Sequence, residues 1–316
     1  MTNLILTHVC NQKCAFCFTN FLTQPLRDAF VSFDRFQEMI SFLDRSNALQ
    51  VRFLGGEPTL HPRFPDLLDL ATKLNKKIVI FSNGLIPEIS LEAIEKYSAK
   101  ELIVLINVNV LFDNHEKQRI TAKIRNVFTR LRGKGQLGYT IFKRNFSFIP
   151  LMELIEEFDL IKSIRLGIAQ PTNWDNKYLP VRFYPFIGQK IASFAEKLKE
   201  EDIIIEMDCG FVRCMFSDNE MDTLNKCGVN YGWHCSPIID IDLDGSALAC
   251  FPLSQEMRVK DAISLSQSEV LDKINKKLEV IRGIGIYPEC QKCIYFENQN
   301  CSGGCLAMVI KRFHKT

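Results

Sequence analysis

No apolar run in this chain approaches the ~18–20 residues that a membrane-spanning helix needs. The first residues, Met1-Thr2-Asn3 before Leu4-Ile5-Leu6, lack the basic stretch and small-residue cleavage site of an export signal. A cytoplasmic protein without a membrane anchor is therefore expected. Excess charge is also missing: 39 Lys and Arg against 37 Asp and Glu leave a formal charge of +2. No dense basic stretch occurs, which argues against a nucleic-acid partner. Histidines number only five, and His61, His115 and His234 have no partner motif, so surface or packing roles are expected for them. The most informative absence is internal: no cysteine lies between Cys17 and Cys209.

Yet the chain has 12 cysteines, three within residues 10–17 and nine from Cys209 to Cys305. In a reducing compartment such clusters point to metal binding or catalysis, not to a disulfide framework. The first group reads Cys10-Asn11-Gln12-Lys13-Cys14-Ala15-Phe16-Cys17, a C-x3-C-x2-C loop after an apolar run. Thiolates select soft centres such as zinc, copper(I) or iron–sulfur clusters. A structural zinc site is closed by four protein ligands, whereas this loop offers three. His8, two residues before Cys10, is poorly spaced to be the fourth. A three-thiolate centre keeps one metal position open for another ligand, which favours a cluster over zinc.

At 316 residues, 47% hydrophobic and 24% charged, the chain is an ordinary globular protein with a sizeable core, rich in Phe at 24 residues. Apolar periodicity gives alternating strands and helices. Leu4–His8 reads as a first strand, followed by a helix with Ser32 as N-cap and Phe33, Phe36, Met39, Ile40 and Leu43 on one face. Further strands are expected at Val51–Leu54, Lys77–Phe81, Leu102–Val110, Tyr139–Phe142, Ile164–Ala169 and Ile203–Ile205. The intervening helices fall near 64–74, 89–97, 114–131, 148–158 and 185–198. Strict alternation means a parallel sheet covered by helices. About six βα units are too few to close an eightfold barrel, so the fold class is α/β, a partial (β/α)6 TIM-like barrel over residues 1–206. A small Cys-rich domain follows over 207–316.

In such folds the working loops follow the carboxyl ends of the strands. The Cys loop follows strand one, Gly55-Gly56-Glu57-Pro58 strand two, and Ser82-Asn83-Gly84 strand three. With Phe16 just before the third cysteine, this combination resembles the radical S-adenosylmethionine (SAM) enzymes. The resemblance covers about residues 1–206. It implies that Cys10, Cys14 and Cys17 hold a four-iron, four-sulfur (4Fe-4S) cluster whose remaining iron is chelated by SAM. Reductive cleavage of SAM would then give a 5′-deoxyadenosyl radical that abstracts a substrate hydrogen. By the same resemblance Phe16, Gly55, Gly56, Glu57, Pro58, Asn83 and Asn109 are cofactor-binding. Backbone carbonyls or Glu57 would accept from the SAM ammonium, and Asn83 would lie near its ribose or carboxylate. Asn107 and Asn109, alternating on the fourth strand, would point together toward the barrel interior, to bind SAM or to satisfy a buried polar network.

Downstream, Cys235-x9-Gly245-x4-Cys250 precedes Cys290-x2-Cys293-x7-Cys301-x3-Cys305. Alone, the second part could close a zinc site. Beside the first domain it resembles the SPASM or twitch extension, which carries auxiliary 4Fe-4S clusters. Asp242-Leu243-Asp244-Gly245 reads as a hairpin turn between flanking strands. By analogy Cys235, Cys250 and Cys305 join Cys214 or Cys227 around one cluster, and Cys290, Cys293 and Cys301 hold another whose fourth ligand is missing or borrowed. The Cys293–Cys301 gap is longer than the family's usual spacing, and no cysteine follows Cys305. One auxiliary cluster or two remain open. Asp208 and Cys209, just past the last strand, are catalytic candidates as acid–base group or hydrogen donor; the alternative for Cys209 is cluster ligation or packing. The resemblance implies a ribosomally made peptide or protein as substrate, modified by crosslinking, epimerisation or side-chain oxidation. It also implies an electron donor such as flavodoxin or ferredoxin. The cluster loop begins at Cys10, so leader recognition is expected from a separate protein or from the barrel and auxiliary domain. Small-molecule oxidation or rearrangement is the alternative, and a non-catalytic iron–sulfur protein the less favoured one.

Overall fold

Ser32 caps the first helix as its sequence demands: its hydroxyl accepts from the Arg35 N–H at 3.2 Å. Phe36, Met39, Ile40 and Leu43 of that helix, α1 (Phe33–Asp44), are buried. Phe33 instead sits under the Arg63 guanidinium, 4.1 Å from its ring centre. The computed structural model describes residues 2–19, 29–46, 48–109, 121–172, 176–236, 238–254 and 256–313. His115, Val110 and the start of the helix expected near 114 lie outside the described residues. Two compact units interleave along the chain.

The first unit comprises Met1–Cys14, Thr19–Gly135 and Pro237–Leu278. Its strands are β1 (Thr2–Thr7), β2 (Gln50–Gly55), β3 (Lys77–Ser82), β4 (Leu102–Asn107), β8 (Ile239–Ile241), β9 (Ala247–Leu248) and β10 (Arg258–Val259). They lie in the order β10-β9-β8-β1-β2-β3-β4. β1 to β4 are parallel to one another, and β8 joins β1 in parallel from the far end of the sequence. Every residue of β1 is buried, as a central parallel strand requires. Helices α1, α2 (Phe64–Thr72), α3 (Glu88–Glu95) and α4 (Ala122–Arg130) alternate with these strands. Phe36, Phe53 and Phe64 pack edge-to-face in series, centroids 5.9 and 6.2 Å apart. The expected hairpin is present: β8 and β9 pair antiparallel, and the turn closes with Gly245 N–H on the Asp242 carbonyl at 2.9 Å.

The second unit comprises Ala15–Phe18, Gln136–Ser236 and Glu279–Thr316. Its strands β5 (Gly135–Ile141), β6 (Ser163–Ile168) and β7 (Ile204–Met207) are parallel neighbours. Between them run α5 (Ile149–Phe158) and α6 (Tyr184–Glu200), followed by α7 (Asp218–Lys226). The helix α8 (Gln267–Arg282) spans the boundary at 278/279 between the sequence ranges of the two units. Short helices α9 (Ile294–Glu297) and α10 (Leu306–Phe313) complete the cysteine-rich end. Strand β5 starts earlier than its apolar pattern suggests, because Gln136 is buried and its amide is satisfied by Ser163 at 2.5 Å and Glu206 at 3.0 Å. Strand β4 stops earlier than expected: the Asn107 side chain turns back to accept from the Asn109 N–H at 3.2 Å. Asn109 is fully buried. The two asparagines thus form a turn, not an alternating pair on an extended strand. Among the described residues no helix is long and apolar enough to cross a membrane.

The β1–β8 pairing encloses Asp240. Burial pushes its carboxyl up to about 7, against the Asn3 amide and Arg52, while Asp242 adds to the rise. Asn3 Nδ2 donates to Asp240 Oδ1 at 2.6 Å, and Asn3 Oδ1 is buried without a partner. The folded pKa lies above the unfolded value of about 3.9. The stability due to protonated Asp240 is therefore complete below about pH 4 and is lost as pH rises through about 7. Asp240→Asn should be close to neutral at pH 4 and stabilising at pH 8, by up to about 4 kcal/mol. Urea midpoints across that range measure this, and parallel profiles for the two proteins would exclude the assignment.

Candidate functional site

The loop after β1 is held by backbone. Gly56 N–H donates to the Thr7 carbonyl and Glu57 N–H to the Val9 carbonyl, both at 2.8 Å. The Thr7 hydroxyl donates to the Ala29 carbonyl at 2.6 Å and accepts from Val9 N–H at 2.9 Å. This contact explains the paired glycines. A Cβ at Gly55 would strike the Thr7 carbonyl, and one at Gly56 would strike the Val9 carbonyl and the Cys10 Cβ. The glycines thus admit the cysteine loop itself.

Glu57 has a different place from the one its motif suggested. It is fully buried, and both carboxylate oxygens are taken. Oε1 accepts from the Thr59 hydroxyl at 2.6 Å and its N–H at 3.3 Å. Oε2 accepts from Asn83 N–H at 2.7 Å and the Ser82 hydroxyl at 3.2 Å. Burial pushes the Glu57 carboxyl up, and these donors pull it partly back. The side chain thus joins the ends of β2 and β3. Pro58, also buried, starts a short 3-10 turn.

Asn83 likewise faces the cysteine loop. Its Nδ2 donates to Asn11 Oδ1 at 2.7 Å and approaches Cys10 Sγ at 3.6 Å. Asn11 in turn donates to the Leu85 carbonyl at 3.0 Å. An N–H directed at a thiolate is one of the means by which proteins tune iron–sulfur potentials. On its other side, His8 Nε2 lies 2.7 Å from Asp242 Oδ1 in the hairpin turn, and Arg258 donates to Asp242 Oδ2 at 2.6 Å. Burial works to raise the Asp242 pKa, but His8, the Leu243 N–H and Arg258 outweigh it and hold the group below its usual value. Sequence reasoning missed this support; the Asp-rich turn was its only signal. Cys10 is exposed and Cys14 half-buried. Three thiols on one accessible loop, with neighbouring backbone packed too tightly for any side chain, suit a cluster that keeps one metal position open.

In the second unit, Cys17 is half-buried and Phe16 is buried. The Phe16 ring stacks on Phe142 with centroids 4.9 Å apart, and its carbonyl accepts from Asn176 Nδ2 at 3.3 Å. Phe16 therefore anchors the loop by packing. Of the downstream cysteines, Cys214 has Cys301, Cys290 and Cys293 as charged neighbours, and burial together with these thiols pushes it up to about 11. Cys209 has Asp208, Cys305 and Cys235 around it, and burial first and these groups second push it well above its usual value. Cys209 and Cys214 are nonetheless solvent-accessible. Cys305 is pushed up to about 12 by burial and then by Cys235.

Cys227 stands apart, buried, with Glu196 and Lys199 as its charged neighbours. Cys250 belongs to the first unit, directly after β9. Asp208 pairs with Arg165 at 2.8 Å. Among the described residues no group of three or more His, Cys, Asp and Glu converges closely enough to hold a single metal ion. His61 is buried with Nε2 on the Val31 carbonyl at 2.9 Å and Nδ1 accepting from Arg63 N–H at 3.1 Å, a packing role. His234 binds the Gln299 carbonyl at 2.7 Å.

Residues 4–137 match the Radical SAM superfamily model. That stretch of the chain is similar to a radical SAM domain. Among curated proteins it is similar to the antilisterial bacteriocin subtilosin biosynthesis protein AlbA of Bacillus subtilis, 31% identical over 115 residues, which are 36% of this chain and 25% of AlbA. It is also similar to the GTP 3′,8-cyclase of Mannheimia succiniciproducens, 28% identical over 166 residues, 51% of this chain and 48% of the cyclase. The matched stretch thus spans a quarter to about half of these relatives. The fold is that of SuiB from Streptococcus suis, solved with S-adenosylmethionine bound: TM-score 0.71, 17% identity, 98% of this chain and 73% of SuiB. It is also that of anSMEcpe with bound AdoMet: TM-score 0.66, 17% identity, 96% of this chain and 88% of anSMEcpe.

Gly56→Ala should force the Val9 carbonyl away and cost about 1–3 kcal/mol, with less iron retained after anaerobic reconstitution. Gly167→Ala, where an added Cβ meets nothing within 4 Å, should change neither. Equal effects of the two substitutions on melting and iron content would remove the glycine contact as the cause.

Proposed function

We propose that the protein is a radical SAM enzyme that modifies a ribosomally made peptide or protein. The observation that carries this is the three-thiol loop of Cys10, Cys14 and Cys17, with Cys10 braced by Gly56, Glu57 and Asn83. These three cysteines would hold the 4Fe-4S cluster, and carbonyls at the ends of β2 and β3 would orient the SAM ammonium. When bound, cluster and SAM supply one-electron cleavage of SAM to methionine and a 5′-deoxyadenosyl radical that takes a hydrogen atom from the substrate. The chain's own residues position and shield: Glu57 locks two strand ends, Asn83 directs an N–H at Cys10, and Phe16 on Phe142 pins the far side of the loop.

Two features support a peptide substrate. AlbA is by name a bacteriocin biosynthesis protein, and SuiB has been solved with the precursor peptide SuiA. The downstream thiols are read as ligands of auxiliary 4Fe-4S clusters. Cys209 belongs with Cys235 and Cys305 in that reading, and Asp208 positions the strand end through Arg165. A flavodoxin- or ferredoxin-type electron donor completes the system. The likeness to GTP 3′,8-cyclases favours a second reading, a nucleotide substrate.

Anaerobic incubation with SAM and dithionite decides between these readings. A short peptide encoded beside the gene should raise 5′-deoxyadenosine formation and change in mass, while GTP should do neither. Turnover with GTP alone would replace the peptide reading, and no 5′-deoxyadenosine with either substrate would end the enzymatic one.

A further inference from the structure

The geometry points to Cys214 as the fourth ligand that closes one auxiliary cluster with Cys290, Cys293 and Cys301. This rests on the reading above that the downstream cysteines hold iron–sulfur clusters. It differs from the sequence-based grouping, in which Cys214 or Cys227 joins Cys235, Cys250 and Cys305.

Cys214 lies in the short turn Arg213–Met215, far upstream of the other three in sequence. That turn is fixed on both sides within the second unit. On one side Gly188 of α6 packs so closely on the Met215 carbonyl that a Cβ would strike it. On the other, the Arg213 guanidinium lies over the Tyr295 ring, 4.8 Å from its centre, and donates to the Phe216 carbonyl at 2.6 Å. Tyr295 organises the partner loop: its carbonyl accepts from Asn300 N–H at 2.8 Å and Cys301 N–H at 3.0 Å. A Cβ at Gly304 would come within 3.0 Å of the Val212 side chain. The turn and the 285–304 loop are therefore packed together.

The thiols follow this packing. Cys214 lies within electrostatic range of Cys301, Cys290 and Cys293, Cys290 within range of Cys301 and Cys293, and the Tyr287 hydroxyl within range of both Cys214 and Cys290. Gly303 N–H is directed at Cys301 Sγ at 3.4 Å, the kind of outer contact that orients a ligand sulfur. Cys227, the other upstream candidate, has no cysteine among its charged neighbours. Four thiolates complete an Fe–S ligand set, so this cluster has no iron open to substrate and serves to pass electrons. Cys209 has Cys305 and Cys235, not these four, among the groups that shift it.

The test uses the full chain carrying Cys10→Ala, Cys14→Ala and Cys17→Ala, so that reconstituted iron reports only auxiliary sites. Adding Cys214→Ala should lower iron by about four per chain if the cluster drops out, or by about one if three thiolates keep a remnant. One reduced-state EPR signal should be lost or altered. Cys227→Ala should leave both readouts unchanged. Cys214→Ser covers the case in which alanine disturbs folding: it should keep the iron and shift the g-values of one signal. Unchanged spectra in Cys214→Ser, or full iron and unchanged signals in Cys214→Ala, would overturn the assignment while leaving auxiliary clusters intact. No iron at all in the parent triple variant would instead overturn the reading of the downstream cysteines, and this assignment with it.

Discussion

Two backbone hydrogen bonds, Gly56 N–H to Thr7 C=O and Glu57 N–H to Val9 C=O, fix where the first thiols stand. They exist only because positions 55 and 56 carry no side chain. The loop is thereby joined to the end of β2, and through Glu57 to the end of β3. A catalytic cluster needs ligands that hold their geometry through redox change. Backbone contacts to a central buried strand supply that with little side-chain entropy to lose. The polar groups around the loop follow from the same constraint, because every buried donor near it must be satisfied. Glu57 alone accepts four such donors.

The second support comes from the far end of the sequence. Strand β8 pairs with β1, and its turn presents Asp242 to His8, two residues before Cys10. Arg258 holds the other carboxylate oxygen. A residue more than two hundred positions downstream therefore helps to orient the start of the cluster loop. This is why the two compact units interleave along the chain: the hairpin that carries Cys250 is part of the first unit's sheet.

Much of this was legible in the sequence. Periodicity placed six helices and seven strands because each strand core is apolar on both faces and each helix apolar on one. The C-x3-C-x2-C loop and the Gly-Gly-Glu-Pro after strand two were readable as a pair. What periodicity could not carry was the direction of polar side chains. Glu57, Asn83 and Asn107 each face neighbouring chain, because a buried strand end has orphan N–H groups that a nearby carboxylate or amide satisfies first. Nor could spacing assign ligands among nine cysteines. Cys214 and Cys227 are equivalent on paper, and only the packing of the Arg213 turn on Tyr295 separates them.

That separation changes what the cysteine-rich end can do. An open cluster binds something; a closed one only exchanges electrons. The first loop, with three thiols and an accessible Cys10, fits the former. The set proposed around Cys290, Cys293 and Cys301 with Cys214 would fit the latter. Oxidative modification of a peptide leaves an electron on the substrate radical after hydrogen abstraction, and that electron must go somewhere. A closed four-thiolate cluster is suited to receive it, since its ligation does not change as it does so. With Cys214 proposed as its fourth ligand, upstream and held by the packed Arg213 turn, that set would be an electron acceptor of this kind.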